Sequence, residues 1–164
     1  MIRLLLVDDQ DIFRQGLATL LSIEEDLEVV AQASNGKQAI ALTEKLQPDV
    51  ILMDIQMPIC DGVTATRKIC RRYPWMRILV LTTFDDDEYI GQSLQAGAKG
   101  YLLKRKPAEE MAMAIRAVNH GYAQLSPEVA PKVFAQIKVI DSANTRFIDI
   151  LSSRELEVLQ LVGH

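Results

Sequence analysis

Short, largely apolar, strand-like runs alternate along this chain with stretches whose apolar residues recur every three or four positions. The runs are Ile2–Val7, Leu27–Ala33, Val50–Met53, Ile78–Thr82 and Gly100–Leu103. Runs of this length, lacking strict apolar/polar alternation, predict strands buried on both faces, as in a parallel sheet covered by helices. The intervening stretches predict helices. In the first, Phe13, Leu17, Leu20 and Leu21 share one face; the second starts near Asn35-Gly36, carries Ala39, Ile40, Leu42 and Leu46, and stops before Pro48. The third follows Asp61-Gly62, and the fourth runs through Tyr89, Ile90 and Leu94 to Gly97. The fifth begins at Pro107, with Glu109 and Glu110 near the positive end of its dipole, and ends at His120-Gly121.

Five such units predict an α/β domain over residues 1–121, a doubly wound, five-stranded parallel sheet with helices on both faces. The flavodoxin-like strand order 2-1-3-4-5 places the topological switch point between strands 1 and 3, where ligands bind beyond the carboxyl ends of the strands. Strand 1 ends in Asp8-Asp9 and strand 3 in Asp54. Grouped carboxylates repel one another and resist desolvation, so a bound divalent cation is the simplest reason to gather them.

Magnesium (or manganese) suits such a nest, because it prefers oxygen ligands and is held by one or two carboxylates together with phosphate. The expected ligands are Asp9 and Asp54 directly, Asp8 through a water, and the main-chain carbonyl of Gln56. With its charge offset, Asp54 becomes a candidate nucleophile for a phosphoryl group. Two further strand ends supply partners for phosphoryl oxygens, the hydroxyl of Thr82 and the ammonium of Lys104. Catalysis of that kind consists of positioning and charge stabilisation.

Composition narrows the picture only a little. The chain has 164 residues, 49% apolar and 24% charged, with 18 basic and 22 acidic side chains and a net charge of −4. That balance argues against a strongly nucleic-acid-binding surface. Residues 125–164 hold four basic and five acidic side chains, so the tail is not basic either. Cys60 and Cys70 lack zinc-site spacing, and the first apolar run is too short for a signal or a membrane span. A cytoplasmic location without membrane contact is the expectation.

Val7-Asp8-Asp9, Leu52-Met53-Asp54-Ile55-Gln56-Met57-Pro58, Asp61-Gly62, Leu81-Thr82 and Tyr101-Leu102-Leu103-Lys104 together resemble, in order and spacing, the receiver-domain motifs of two-component response regulators. The resemblance covers about residues 1–121. It implies that Asp54 accepts phosphate from a sensor histidine kinase, that Asp8 and Asp9 form the acidic metal pocket, and that Lys104 bonds the phosphoryl group. It also implies a switch pair, in which Thr82 moves toward the phosphoryl oxygen and Tyr101 turns inward to fill the vacated space. Beyond self-phosphorylation and slow self-dephosphorylation at Asp54, no enzymatic activity is expected. Arg105-Lys106 after Lys104 depart from the acid found there in many relatives and add positive charge beside the site.

The tail refines the resemblance. Leu125-Ser126-Pro127-Glu128-Val129-Ala130 is similar to the linker helix of NarL/FixJ-type regulators, assigned to residues 122–148. Leu151-Ser152-Ser153-Arg154-Glu155-Leu156-Glu157-Val158-Leu159, within residues 149–164, is similar to the opening of a LuxR-type helix-turn-helix domain. The recognition helix of such a domain lies beyond His164, so the chain reads as truncated inside its output domain and binds DNA only as the full-length protein. Homodimer formation is a further implication.

Two other readings compete. A stand-alone receiver would act as a protein-interaction module. Asp9-Gln10-Asp11 after an apolar strand also resembles the nucleophile motif of haloacid dehalogenase-type phosphatases, although that family needs a late acidic pair which does not follow Lys104. Bland roles are expected for Asp11 as a loop or capping acid, Asp85-Asp86-Asp87-Glu88 as a helix start, Met111 and Met113 as packing, and His120 as a helix end.

Overall fold

The computed structural model describes residues 1–83, 87–125 and 130–131. The expected helix start at Asp85-Asp86, the linker helix around residues 126–137 and the helix-turn-helix opening at 149–164 lie outside the described residues, apart from Ala130 and Pro131. Strands β1 (Ile2–Val7), β2 (Leu27–Ala33), β3 (Val50–Asp54), β4 (Arg77–Thr82) and β5 (Gly100–Leu103) alternate with helices α1 (Asp11–Leu21), α2 (Gly36–Leu46), α3 (Gly62–Arg72), α4 (Asp87–Ala96) and α5 (Ala108–Asn119). A two-residue strand β6 (Gln124–Leu125) follows. All strand pairs are parallel, and the order is β2-β1-β3-β4-β5-β6.

The five-stranded order is the expected one, and β6 extends it. Gly100 and Tyr101 pair with Gln124 and Leu125, which covers the edge of β5. Such a cap restrains an edge strand that would otherwise expose a row of unpaired backbone groups.

The apolar runs divide by alternate residues into two cores. Leu5, Val7, Ile51, Met53, Ile78, Val80, Tyr101 and Leu103 pack on one face with residues of α2, α3 and α4. Leu4, Leu6, Val50, Leu52, Leu79, Leu81 and Leu102 pack on the other with α1 and α5. Because successive strand side chains point to opposite faces, a run with apolar residues at both odd and even positions feeds both cores.

Caps fix where the helices begin. Asn35 accepts the Gln38 N–H ahead of α2, and Asp61 accepts the Thr64 N–H at 2.8 Å ahead of α3. Asp11 is the first residue of α1 rather than its cap, and it pairs with Arg14 at 2.9 Å. His120 ends α5 through its backbone N–H, bonded to the Arg116 and Ala117 carbonyls.

Candidate functional site

The backbone carries Asp8 and Asp54 to adjacent strand ends. Leu4–Val7 pair with Val50–Met53, so the residues following Val7 and Met53 emerge side by side. Asp8 N–H donates to the Ala33 carbonyl, Gln10 N–H donates to Asp8 Oδ1 at 2.8 Å, and Arg14 donates to the Asp8 carbonyl. Asp54 Oδ1 accepts the Ile55 N–H at 2.9 Å. Both carboxylates are buried, 2% exposed for Asp8 and 6% for Asp54, whereas Asp9 faces solvent.

Asp8, Asp9 and Asp54 each offer an oxygen, and these atoms lie within 4.8 Å of one another. Lys104 enters from the end of β5, its own N–H bonded to the Thr82 carbonyl. Its ammonium sits 2.8 Å from Asp8 Oδ2 and 3.8 Å from Asp54 Oδ2. Even so, no aligned hydrogen bond reaches the buried Asp8 Oδ2. A buried carboxylate oxygen with an ion-pair partner but no aligned hydrogen bond, inside a triad of acids, is what a hard, oxygen-seeking cation would satisfy, so the donor set fits Mg²⁺ or Mn²⁺.

Electrostatics agree with the geometry. Burial, and then the neighbouring charge of Asp8, push the Asp54 carboxyl up to about 7, against the opposing pull of Lys104 and the Ile55 N–H. Without a cation the site therefore holds a carboxyl at the edge of protonation at neutral pH.

Thr82 is buried at the end of β4, and its hydroxyl donates to the Thr83 carbonyl at 3.0 Å. A cavity of about 200 Å³ beside it is lined by Thr82, Thr83, Leu103, Lys104 and Arg105. Gln56 lies exposed in the loop after Asp54, two residues beyond the carboxylate.

Tyr101 lies at the other end of the expected switch pair. It is wholly buried, with its hydroxyl bonded to the Ile90 carbonyl of α4 at 2.8 Å. The ring belongs to the α2–α3–α4 core by strand alternation, and a buried phenol needs an acceptor, which α4 supplies. The ring lies inward in this conformation. Tyr101→Phe is expected to cost about 1 kcal/mol and to speed hydrogen exchange across α4. Unchanged α4 protection in that variant would dissociate the phenol from helix placement.

Gln10 and Phe13 join the site although the sequence marked Phe13 only as helix packing and gave Gln10 no role at Lys104. Gln10 Oε1 accepts from the Lys104 ammonium at 2.7 Å, and the same ammonium lies 4.6 Å from the centre of the Phe13 ring. Together with Asp8 they hold the lysine on the β1 side of the nest. Only the position of Gln10 next to Asp8-Asp9 was a usable signal. Cys60 is half-buried in the β3–α3 loop, its carbonyl accepting the Gly36 N–H, and burial pushes its thiol up and away from thiolate chemistry.

Residues 4–116 match the response regulator receiver domain family. The chain is 43% identical over 163 residues to the transcriptional regulatory protein LiaR of Bacillus subtilis, covering 99% of this chain and 77% of that protein. It is 38% identical to the transcriptional regulatory protein DegU of Brevibacillus brevis, covering 98% of this chain and 74% of that one. Among solved structures, a LuxR-family two-component response regulator from Aurantimonas superposes with a TM-score of 0.77 at 32% identity, covering 85% of this chain and 99% of that one. The response regulator ChrA of a heme-sensing two-component system gives 0.70 at 38% identity, covering 84% of this chain and 66% of that one.

Proposed function

Since this chain belongs to the two-component response regulators that carry a receiver domain, we propose that Asp54 is its phosphoacceptor and that phosphorylation controls a transcriptional output. The observation that carries this reading is the nest itself. A buried carboxylate at the end of β3 meets two further acids from the end of β1 and an ammonium from the end of β5, and β4 between them ends in the buried Thr82. Membership of this family favours the regulator over the phosphatase and over the isolated interaction module.

In the reaction a carboxylate oxygen of Asp54 attacks phosphorus, and the donor's nitrogen or oxygen departs with its electron pair. The product is an acyl phosphate. Asp8, Asp9 and Asp54, with the Gln56 main-chain carbonyl, would hold Mg²⁺ or Mn²⁺, which when bound neutralises phosphoryl oxygens. Lys104 turns from Asp8 and Gln10 toward an oxygen the cation leaves free. Thr82 exchanges the Thr83 carbonyl for another phosphoryl oxygen. Tyr101, already inside, keeps α4 in register with β5 while the Thr82 hydroxyl moves.

The biological donor is a sensor histidine kinase. Residues 1–121 form the receiver, 122–148 a linker and 149–164 the opening of a LuxR-type helix-turn-helix that reads DNA in the full-length protein, with phosphorylated copies pairing. Among the described residues no helix is long and apolar enough to cross a membrane, and we place the protein in the cytoplasm. The test is incubation with a small phosphodonor and Mg²⁺, followed by intact mass and peptide mapping. One phosphoryl group on the peptide containing Asp54 is expected. Labelling mapped to Asp9 would revive the phosphatase reading.

A further inference from the structure

Charge is unevenly distributed in this protein. From Gly62 to Thr83 the chain carries Arg67, Lys68, Arg71, Arg72 and Arg77 and no acidic residue, against a net charge of −4 overall. Arg72 pairs with Glu44 at 2.8 Å. Arg67 and Arg71, four residues apart on one face of α3, are exposed and make no side-chain hydrogen bond or ion pair among the described residues.

Arg67 and Arg71 line a cleft of about 450 Å³ whose far wall is the end of α4 and whose floor includes Pro74 and Lys99. Pro74 and Lys99 also line an adjoining cleft of about 340 Å³, walled by Trp75, Arg77, Val118 and Ala123. Both volumes fall in the range of small-ligand sites. They open at the amino-terminal ends of β4 and β5, the opposite end of the sheet from Asp54.

Trp75, the sole tryptophan, is 67% exposed, with its ring in a T-shaped contact with Tyr73 at 5.7 Å. An indole restrained by one neighbouring ring and still two-thirds exposed is a stacking platform for a planar ring. Cations in the last turn of α3 also offset its dipole, which accounts for Arg71 and Arg72 but not for Arg67, Arg77 or Lys99. Helix-end carbonyls would repel an anion here, yet several are engaged. Ile69 accepts from Tyr73 N–H, Ser93 from Ala98 N–H and Leu94 from Gly97 N–H.

We propose that the joined clefts form a nucleoside polyphosphate site, with phosphates between Arg67, Arg71 and Lys99 and the base on Trp75. Paired guanidiniums match phosphate oxygens in a fork geometry. An acidic peptide would satisfy the cations but leave the indole face unused.

The experiment is a titration of the whole chain with ATP in the presence of a chelator, which keeps magnesium nucleotide out of the acidic nest, read by Trp75 fluorescence. Saturable quenching is expected, with half-saturation raised at least about tenfold in the Arg67→Gln/Arg71→Gln variant. Adenosine and tripolyphosphate should each bind at least about tenfold more weakly than ATP, because each meets only one cleft. The double variant should still take phosphate at Asp54 at the parental rate, which certifies its fold. Absent quenching, an unchanged double variant, or tripolyphosphate equal to ATP would each overturn the assignment, the last by reducing the clefts to a plain anion site.

Discussion

Asp54→Asn is expected to abolish phosphate uptake and, in the absence of divalent cation, to make the protein more stable than the parent at neutral pH. The first effect follows because an amide offers no anionic oxygen to attack phosphorus. The second follows from the carboxyl's environment. Its pKa stands at about 7 in the folded chain, raised first by burial and then by Asp8, while an unfolded aspartate titrates near 3.9. Below about pH 4 both states are protonated and there is no difference. Between about 4 and 7 the folded state retains a proton that the unfolded state has released, so parental stability falls as pH rises. Above about 7 the folded carboxylate is ionised and the destabilisation is complete.

Asparagine removes that charge. The gain is on the order of 2 kcal/mol, smaller than the full shift because a site at the sheet's edge relaxes and admits water. In thermal unfolding this corresponds to roughly 5 °C or more. The gap between variant and parent should be negligible below about pH 3.5, widen toward pH 8, and close when millimolar Mg²⁺ stabilises the parent alone. A parental Tm that is flat across this range, matched by the variant at pH 8, would show that the nest is not electrostatically strained.

Much of this site was legible because its signals were independent of one another. Val50–Met53 had to be a doubly buried strand, since no face of it is polar, and Asp54 then had to emerge at the sheet's edge. Lys104 and Thr82 were legible for the same reason, each being the polar residue that ends an apolar run. The pose of Tyr101 was not, because a strand residue's face follows from alternation but its hydroxyl's partner depends on how closely α4 packs. The part Gln10 and Phe13 play at Lys104 was not legible because neither residue type announces chemistry. They matter only through their distances to Lys104, 2.7 and 4.6 Å. Strand β6 was invisible because two residues have no period. The cationic face of α3 was hidden by averaging, since a net charge of −4 conceals a stretch that contains no acid.

Gly62→Ala is the most disruptive single-methyl change expected at the site. A Cβ on Gly62 would lie 1.9 Å from the Asp54 carbonyl oxygen and 2.9 Å from both the Asp54 carbonyl carbon and Ile55 Cα. Those neighbours are backbone and cannot rotate away, so α3 must retreat from the end of β3. Retreat breaks the 2.7 Å bond from Gly62 N–H to the Ile55 carbonyl. It also drags the peptide whose Ile55 N–H holds Asp54 Oδ1. The expected cost is about 3 kcal/mol, overpacking and a broken buried hydrogen bond combined. Phosphorylation should slow at least about tenfold even at temperatures where the variant is folded, because a small misplacement of the nucleophile is felt steeply. Gly16→Ala supplies the contrast, as its Cβ would meet nothing within 4 Å on the exposed side of α1. That substitution should stabilise the protein by up to about 1 kcal/mol and leave phosphorylation unchanged. Chemical denaturation and phosphodonor kinetics on the two variants separate the cases. Parental stability and rate in Gly62→Ala would mean that the close approach of α3 to β3 does not position Asp54.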